Sequence, residues 1–277
     1  MDTVKFIKPN IKSDTKPSQA SVRPLFVYLP GMDGTGKLFH TQADRLSRWF
    51  DLRCLSLPPQ EQTDWQTMTH QVSELIDKEL GESAPSGRKR AVYLCGESFG
   101  GCLAMRVLTY SPHLFEKVIL INPASSFKRL PWMQLGSLIT HQMPNLIYRY
   151  GAQGLLPFLI ETFRVDSRDR IALADAMGSV PAKTAAWRMG LLGKFDIERL
   201  PLERMTHPVL VIAGGNDRLL PSKREADSLV ARFPNAKKTL LPESGHACLI
   251  ESKTDLAKIL QAQQFLPNAV SSSYQGR

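Results

Sequence analysis

Apolar positions along the chain follow two rhythms. Short apolar runs at 24–30 (PLFVYLP), 52–58, 91–96, 116–123, 207–215 and 237–242 read as buried strands. Between them the spacing turns helical. Trp65, Met68, Val72, Leu75, Ile76 and Leu80 fall on one face of a helix over 64–80. Further helices are predicted at 37–50, 98–110, 222–232 and 246–264. Short apolar strands alternating with helices imply an α/β fold, with a mostly parallel sheet of at least six strands covered on both faces. Residues 124–205 break the alternation with several helical patterns and with Pro131, Pro144, Pro157, Pro181 and Pro201. This insertion reads as a helical cap over the C-terminal strand ends, where open α/β sheets bind ligands. The expected organisation is a flexible polar tail at 1–22, a core at 23–123 and 206–267, the cap at 124–205 and a second flexible tail at 268–277.

Composition narrows the setting. The 277 residues are 43% hydrophobic and 22% charged, an ordinary balance for one large globular domain. No apolar run reaches the roughly 18 residues of a membrane span. The first 22 residues are polar, carry Lys5, Lys8, Lys12 and Lys16, and lack the apolar stretch of a secretory signal. Cys54, Cys95, Cys102 and Cys248 form no CxxC pair, and three of them lie in apolar runs. Buried reduced thiols, a cytoplasmic location and no structural zinc are expected. Net charge is +9, concentrated at the N-terminus and at Arg88-Lys89-Arg90. No nucleic-acid-reading motif accompanies it. A solvated tail and basic loop explain the charge, and a weak attraction to anionic membrane surfaces is the other reading, which would place the protein peripheral to a membrane.

The chemistry centres on Gly96-Glu97-Ser98-Phe99-Gly100, a G-x-S-x-G between a predicted strand and a predicted helix. A serine at the apex of so tight a turn needs neighbours without side chains, which accounts for Gly96 and Gly100. Gly101 would let the helix lie close to a neighbouring strand. The bland alternative is a serine N-cap in a glycine-rich turn. A serine hydroxyl needs a base, and the base needs an orienting acid. Asp217 follows the 207–215 strand and His246 follows the 237–242 strand, at the start of the last predicted helix. Taken singly, Asp217 is a common turn residue and His246 an ordinary helix start. Together the order Ser98, Asp217, His246 is that of a nucleophile–acid–base set at three strand ends. Asn122 occupies another strand end where such an acid can stand.

An oxyanion needs two backbone N–H donors. Phe99, after the nucleophile, supplies one. Met32, in the glycine-rich loop LPGMDGTG at 29–36, supplies the other, with Gly31, Asp33 and Gly34 expected to meet the substrate. The same loop nearly spells a phosphate-binding G-x-x-x-x-G-K-[ST], but Leu38 replaces the final hydroxyl residue. That reading leaves Ser98 and His246 without a role.

At these residues the chain resembles the α/β-hydrolase superfamily. LPGMDGTGKLF, GESFGGCLAM and VILINPASSF, with SVPAKTAAWRMGLL in the cap, are similar to the plastid and cyanobacterial esterase/lipase/thioesterase group that includes phytyl ester synthases. The resemblance spans about Phe26 to Ile259. It implies acyl transfer through a covalent serine, no metal or cofactor, and an acyl ester or thioester substrate. The apolar cap suits a lipid-like acyl chain. Members of the group carry a further acyltransferase region with an H-x-x-x-x-D pair, and no histidine of this sequence has Asp five residues later. Whether the acyl group passes to water or to an alcohol such as phytol stays open. Two rivals also stand. One is a lyase of menaquinone synthesis with the same fold, whose relatives carry Arg after the Gly-Gly pair where this chain has Cys102. The other is a non-enzymatic ligand receptor that retains a hydrolase pocket.

Overall fold

The computed structural model describes residues 3–11, 23–82 and 90–267. Seven strands form one sheet: β1 (Lys5–Ile7), β2 (Leu25–Leu29), β3 (Asp51–Ser56), β4 (Val92–Glu97), β5 (Lys117–Ile121), β6 (Val209–Gly214) and β7 (Ala236–Leu241). Their order is β1-β3-β2-β4-β5-β6-β7, parallel throughout except for β1, which runs antiparallel to β3. The helices α1 (His40–Leu46), α2 (Trp65–Glu82), α3 (Phe99–Tyr110), α9 (Ser222–Arg232) and α10 (Leu256–Ala262) belong to the core. Within the insertion lie α4 (Pro131–Gln142), α5 (Asn145–Gln153), α6 (Leu156–Leu159), α7 (Ser167–Gly178) and α8 (Ala182–Lys194).

The period-2 alternation of the strands divides the apolar core into two layers. Leu25, Val27 and Leu29 of β2 pack with Val72 and Ile76 of α2, Leu108 of α3 and Leu229 of α9. Phe26 and Tyr28 point the other way, onto Leu46 of α1 and Leu256 and Leu260 of α10. Each fully buried Leu, Ile or Phe contributes roughly 1.5–3 kcal/mol, so the two layers hold the sheet rigid. Register then aligns the strand ends. Leu29 pairs with Gly96, Glu97 with Ile121, and Gly214 with Leu241. The loops that follow β2, β4, β5, β6 and β7 therefore gather along one edge of the sheet.

Three expectations need correction. The polar start of the chain is not wholly a tail, because Lys5–Ile7 pairs with Cys54–Ser56 as an edge strand. The remainder of the 1–22 expectation, and that for 268–277, lies outside the described residues. The last helix does not run from 246. A 3-10 turn at Cys248–Ile250 precedes α10, which starts only where the Asp255 side chain accepts the Lys258 N–H. The buried Glu251 carboxylate accepts the Gly245 N–H at 2.8 Å and so holds the intervening stretch in turns. The insertion is also tied down at both ends. Ala124 and Phe127 at its start, and Phe195, Ile197 and Leu202 at its close, are buried in the same layer as α3. Among the described residues no helix is long and apolar enough to cross a membrane.

Candidate active site

Ser98 stands between β4 and α3 at φ 54° and ψ −115°, a conformation costly for any residue with a Cβ. Close packing imposes it. A Cβ on Gly96 would lie 2.3 Å from the Gly100 carbonyl oxygen, and one on Gly100 would lie 2.1 Å from that of Leu29. Only glycine permits the helix to start so close to the strands. A Cβ on Gly101 would meet Pro123 at 2.7 Å, so α3 also presses on the chain leaving β5.

The three sequence-predicted side chains come together. His246 Nε2 lies 2.8 Å from Ser98 Oγ, and His246 Nδ1 lies 2.8 Å from Asp217 Oδ2. Asp217 Oδ1 accepts the N–H groups of Leu219 and Leu220, each at 2.9 Å, and the Ser222 hydroxyl donates to Oδ2. With one carboxylate oxygen held by the backbone, the other can only face the imidazole. The side chains of His246 and Asp217 are 5% and 1% exposed, so their interaction acts at low dielectric. Burial alone would lower the His246 pKa. The Asp217 charge and hydrogen bond, helped by Glu97, outweigh it and hold the imidazole above its ordinary value. Burial pushes the Asp217 carboxyl up, but His246, Ser222 and the Leu220 N–H together bring it below the usual range. The serine oxygen thus meets a basic nitrogen, and the acid stays ionised behind it.

The loop after β2 lies against the nucleophile. A Cβ on Gly31 would be 3.8 Å from the Ser98 Cβ. The Gly34 N–H donates to the Gly31 carbonyl at 3.0 Å and closes the loop into a turn. Met32 N–H and Phe99 N–H, the donors expected for an oxyanion, have no hydrogen-bond acceptor among the described residues. Asp33 is half-buried, and its Oδ1 is occupied by the Thr35 N–H and hydroxyl. Gly34 is buried at φ 68° with a guanidinium beside it: a Cβ there would lie 2.7 Å from Arg188 Nη1.

Several residues of this constellation carry no motif. Asn122, at φ 41°, donates through Nδ2 to the His246 carbonyl at 2.6 Å and accepts the Gly214 N–H at 2.7 Å. It therefore ties the histidine loop to β6 rather than serving as an acid. Glu251 bridges the Gly245 N–H and Arg164 of the insertion, the latter at 2.8 Å. Trp65 stacks on Phe99 with ring centroids 4.8 Å apart and donates to the Leu191 carbonyl at 2.9 Å, which links the residue after the nucleophile to α8. A polar side chain at a loop or strand end is the only signal the sequence offers for these, and many residues share it.

The profile of the alpha/beta hydrolase family matches residues 26–259. The chain belongs to this family. Its relatives include Phytyl ester synthase 1, chloroplastic, of Arabidopsis thaliana, 28% identical over 260 residues, 86% of this chain and 36% of that protein. The Pimeloyl-[acyl-carrier protein] methyl ester esterase of Nitrosomonas europaea is 33% identical over 165 residues, 56% of this chain and 64% of that one. This alpha/beta hydrolase chain therefore spans only about a third of the phytyl ester synthase it matches. Among solved structures, MenH from S. aureus superposes with a TM-score of 0.73 at 16% identity, over 95% of this chain and 100% of that one. That likeness concerns the fold.

Glu97, the second residue of the hydrolase's G-x-S-x-G, is buried beneath the serine and accepts the Tyr28 hydroxyl. Burial pushes its pKa from 4.5 up to about 7, against the opposing effects of the Tyr28 hydrogen bond and of His246. Between those pH values the folded state keeps a proton that the unfolded chain releases. Stability from this group is full below pH 4.5 and is lost as pH rises to about 7. That gap is worth on the order of 3 kcal/mol. Glu97→Gln keeps the shape and cannot ionise. In urea titrations, its unfolding free energy relative to wild type is expected to climb by about 3 kcal/mol from about pH 4.5 to about pH 8. A difference that does not change with pH would contradict this account of the carboxyl.

Proposed function

We propose that the chain is a serine esterase or thioesterase acting on lipid-like acyl groups through an acyl-serine intermediate. The unbroken line of 2.8 Å contacts from Ser98 through His246 to Asp217 carries the proposal. His246 Nε2 takes the Ser98 proton as Oγ bonds to the acyl carbon. The N–H groups of Met32 and Phe99 receive the oxyanion, a contribution of about 3–4 kcal/mol per donor in a comparable site. As the intermediate collapses, the carbon–oxygen or carbon–sulfur bond to the leaving group breaks, and His246 returns its proton to that alcohol or thiol. Water then adds to the acyl-serine by the same route in reverse, its proton passing through His246 back to Ser98 Oγ. An alcohol such as phytol in place of water yields a new ester.

Both curated relatives are named for ester chemistry, one for forming a phytyl ester and one for cleaving a methyl ester. The cap leaves Ile139, Leu146, Ile147, Phe158 and Phe163 exposed. These side chains favour an apolar acyl chain and, with the net charge of +9, support weak association with an anionic lipid surface. Turnover of p-nitrophenyl esters tests the proposal. kcat/KM is expected to rise severalfold from acetyl to a medium or long chain, since each buried methylene contributes about 0.8 kcal/mol. Phytyl esters accumulating in a lipid extract supplied with phytol, read by mass spectrometry, would mark transfer to alcohol. Negligible turnover of every ester, with Ser98 still labelled by a fluorophosphonate, would overturn the esterase reading and favour proton-abstraction chemistry on the same triad.

A further inference from the structure

Arg188 of α8 is 2% exposed and is the largest fully buried side chain among the described residues. Its guanidinium reaches 156 positions back along the chain. Nη1 donates to the Met32 carbonyl at 2.8 Å and to the Asp33 carbonyl at 3.2 Å, and Nη2 donates to the Pro58 carbonyl at 3.2 Å. Among the described residues no carboxylate lies within ion-pair distance of it. Burial pushes its pKa below the usual value, while the charges of Asp33 and Glu61 act in the opposite direction.

Burying a cation against carbonyls alone is an expensive way to attach a helix. An apolar side chain of similar volume would serve stability as well or better. The contacts, however, fall on one particular segment. Met32 and Asp33 lie in the turn closed by Gly31 and Gly34, and that turn rests against Ser98. Gly34 has both the backbone angle and the empty side-chain position that the guanidinium needs. The turn's far end is pinned in turn, because the Leu57 N–H donates to the Gly34 carbonyl at 2.8 Å. A planar fork of donors suits such a task, since it fixes two successive peptide planes at once.

We propose that Arg188 is a positioning residue for the oxyanion loop: from the cap it grips the Met32 and Asp33 carbonyls and so sets the Met32 N–H where negative charge develops. This inference rests on the esterase reading for its chemistry, but not on any particular ester. On this account the cap does more than shape a pocket for the acyl chain. Displacing α8 releases the loop, and with it one of the two oxyanion donors.

The test is the second-order rate of labelling by an alkyl fluorophosphonate in wild type, Arg188→Gln and Arg188→Lys. Phosphonylation of Ser98 also passes through an oxyanion, so this rate reports the loop whether or not an ester is turned over. A displacement of about 1 Å, or loss of one donor, costs about 10²-fold. Arg188→Gln is expected to label about 10²-fold more slowly and Arg188→Lys about tenfold more slowly, both still reaching full stoichiometry. The pH midpoint of labelling should not move, because the change lies on the oxyanion side and not at His246. With an ester substrate, kcat per labelled site should fall in step while KM changes less than about threefold. Labelling rates within twofold of wild type, with only the melting temperature or the labelled fraction reduced, would show Arg188 to be structural and overturn the inference. A shifted pH midpoint would do the same by placing its effect on the triad. Labelled wild type with no ester turnover would defeat the esterase reading while leaving the rate comparison valid. Unlabelled wild type would defeat both.

Discussion

Ser98→Ala is expected to abolish ester turnover, by about 10⁶-fold, and to remove fluorophosphonate labelling entirely. The loss follows from geometry. His246 Nε2 faces one hydroxyl at 2.8 Å, and without that oxygen no nucleophile stands within reach of the base. The variant should fold and melt near the wild type, because the backbone conformation is imposed by the packing of Gly96 and Gly100 and not by the hydroxyl. Ser98→Gly separates strain from chemistry. It is equally inactive, yet glycine takes φ 54° without a Cβ penalty. Such backbone strain costs about 1–3 kcal/mol, and the added freedom of glycine when unfolded recovers about 0.5–1 of it. A net rise of about 1 kcal/mol in unfolding free energy is expected. Appreciable turnover in either variant would remove Ser98 from the reaction, and a less stable glycine variant would contradict the strain.

Asp217→Asn is expected to lower kcat by about 10⁴-fold with the fold intact. The amide has a forced orientation. The backbone N–H groups of Leu219 and Leu220 both need an acceptor, so the amide oxygen must take the place of Oδ1. The NH₂ group then faces His246 Nδ1, which has to become the acceptor. The imidazole proton moves to Nε2, the nitrogen that must receive the Ser98 proton. The Ser222 hydroxyl can reverse and accept from the NH₂, so no buried group is left unpaired. The imidazole also loses the negative charge that offsets its burial, and its pKa should fall. The acid limb of the residual pH–rate profile should therefore move to lower pH than in wild type. A variant within tenfold of wild type, or an unmoved acid limb, would mean that Asp217 does not orient the base.

Much of this architecture is legible in local pattern. Strand and helix segments show in apolar spacing, because burying one face imposes a period on neighbouring residues. The strained turn shows in the glycines around Ser98, because steric exclusion acts between adjacent residues. The order of Ser98, Asp217 and His246 is visible because each follows a recognisable strand. The pattern misled where a local signal competed with a distant one. Lys5–Ile7 reads as part of a charged tail, but it finds an open edge at β3. His246 reads as a helix start, but the Glu251 carboxylate and Asn122 hold it in a loop.

By itself, then, the amino-acid order specified the alternating layers, the turn that exposes the serine and the residues able to serve it. Tertiary structure alone decided how they are held. It placed the Arg188 guanidinium on the Met32 carbonyl 156 residues away, Tyr28 on Glu97 69 residues away, and Asn122 on the His246 carbonyl 124 residues away. Such partners leave no periodic trace. A hydrogen bond between distant residues depends on where two rigid elements come to rest, and on the cost of leaving either group unpaired in the low-dielectric interior.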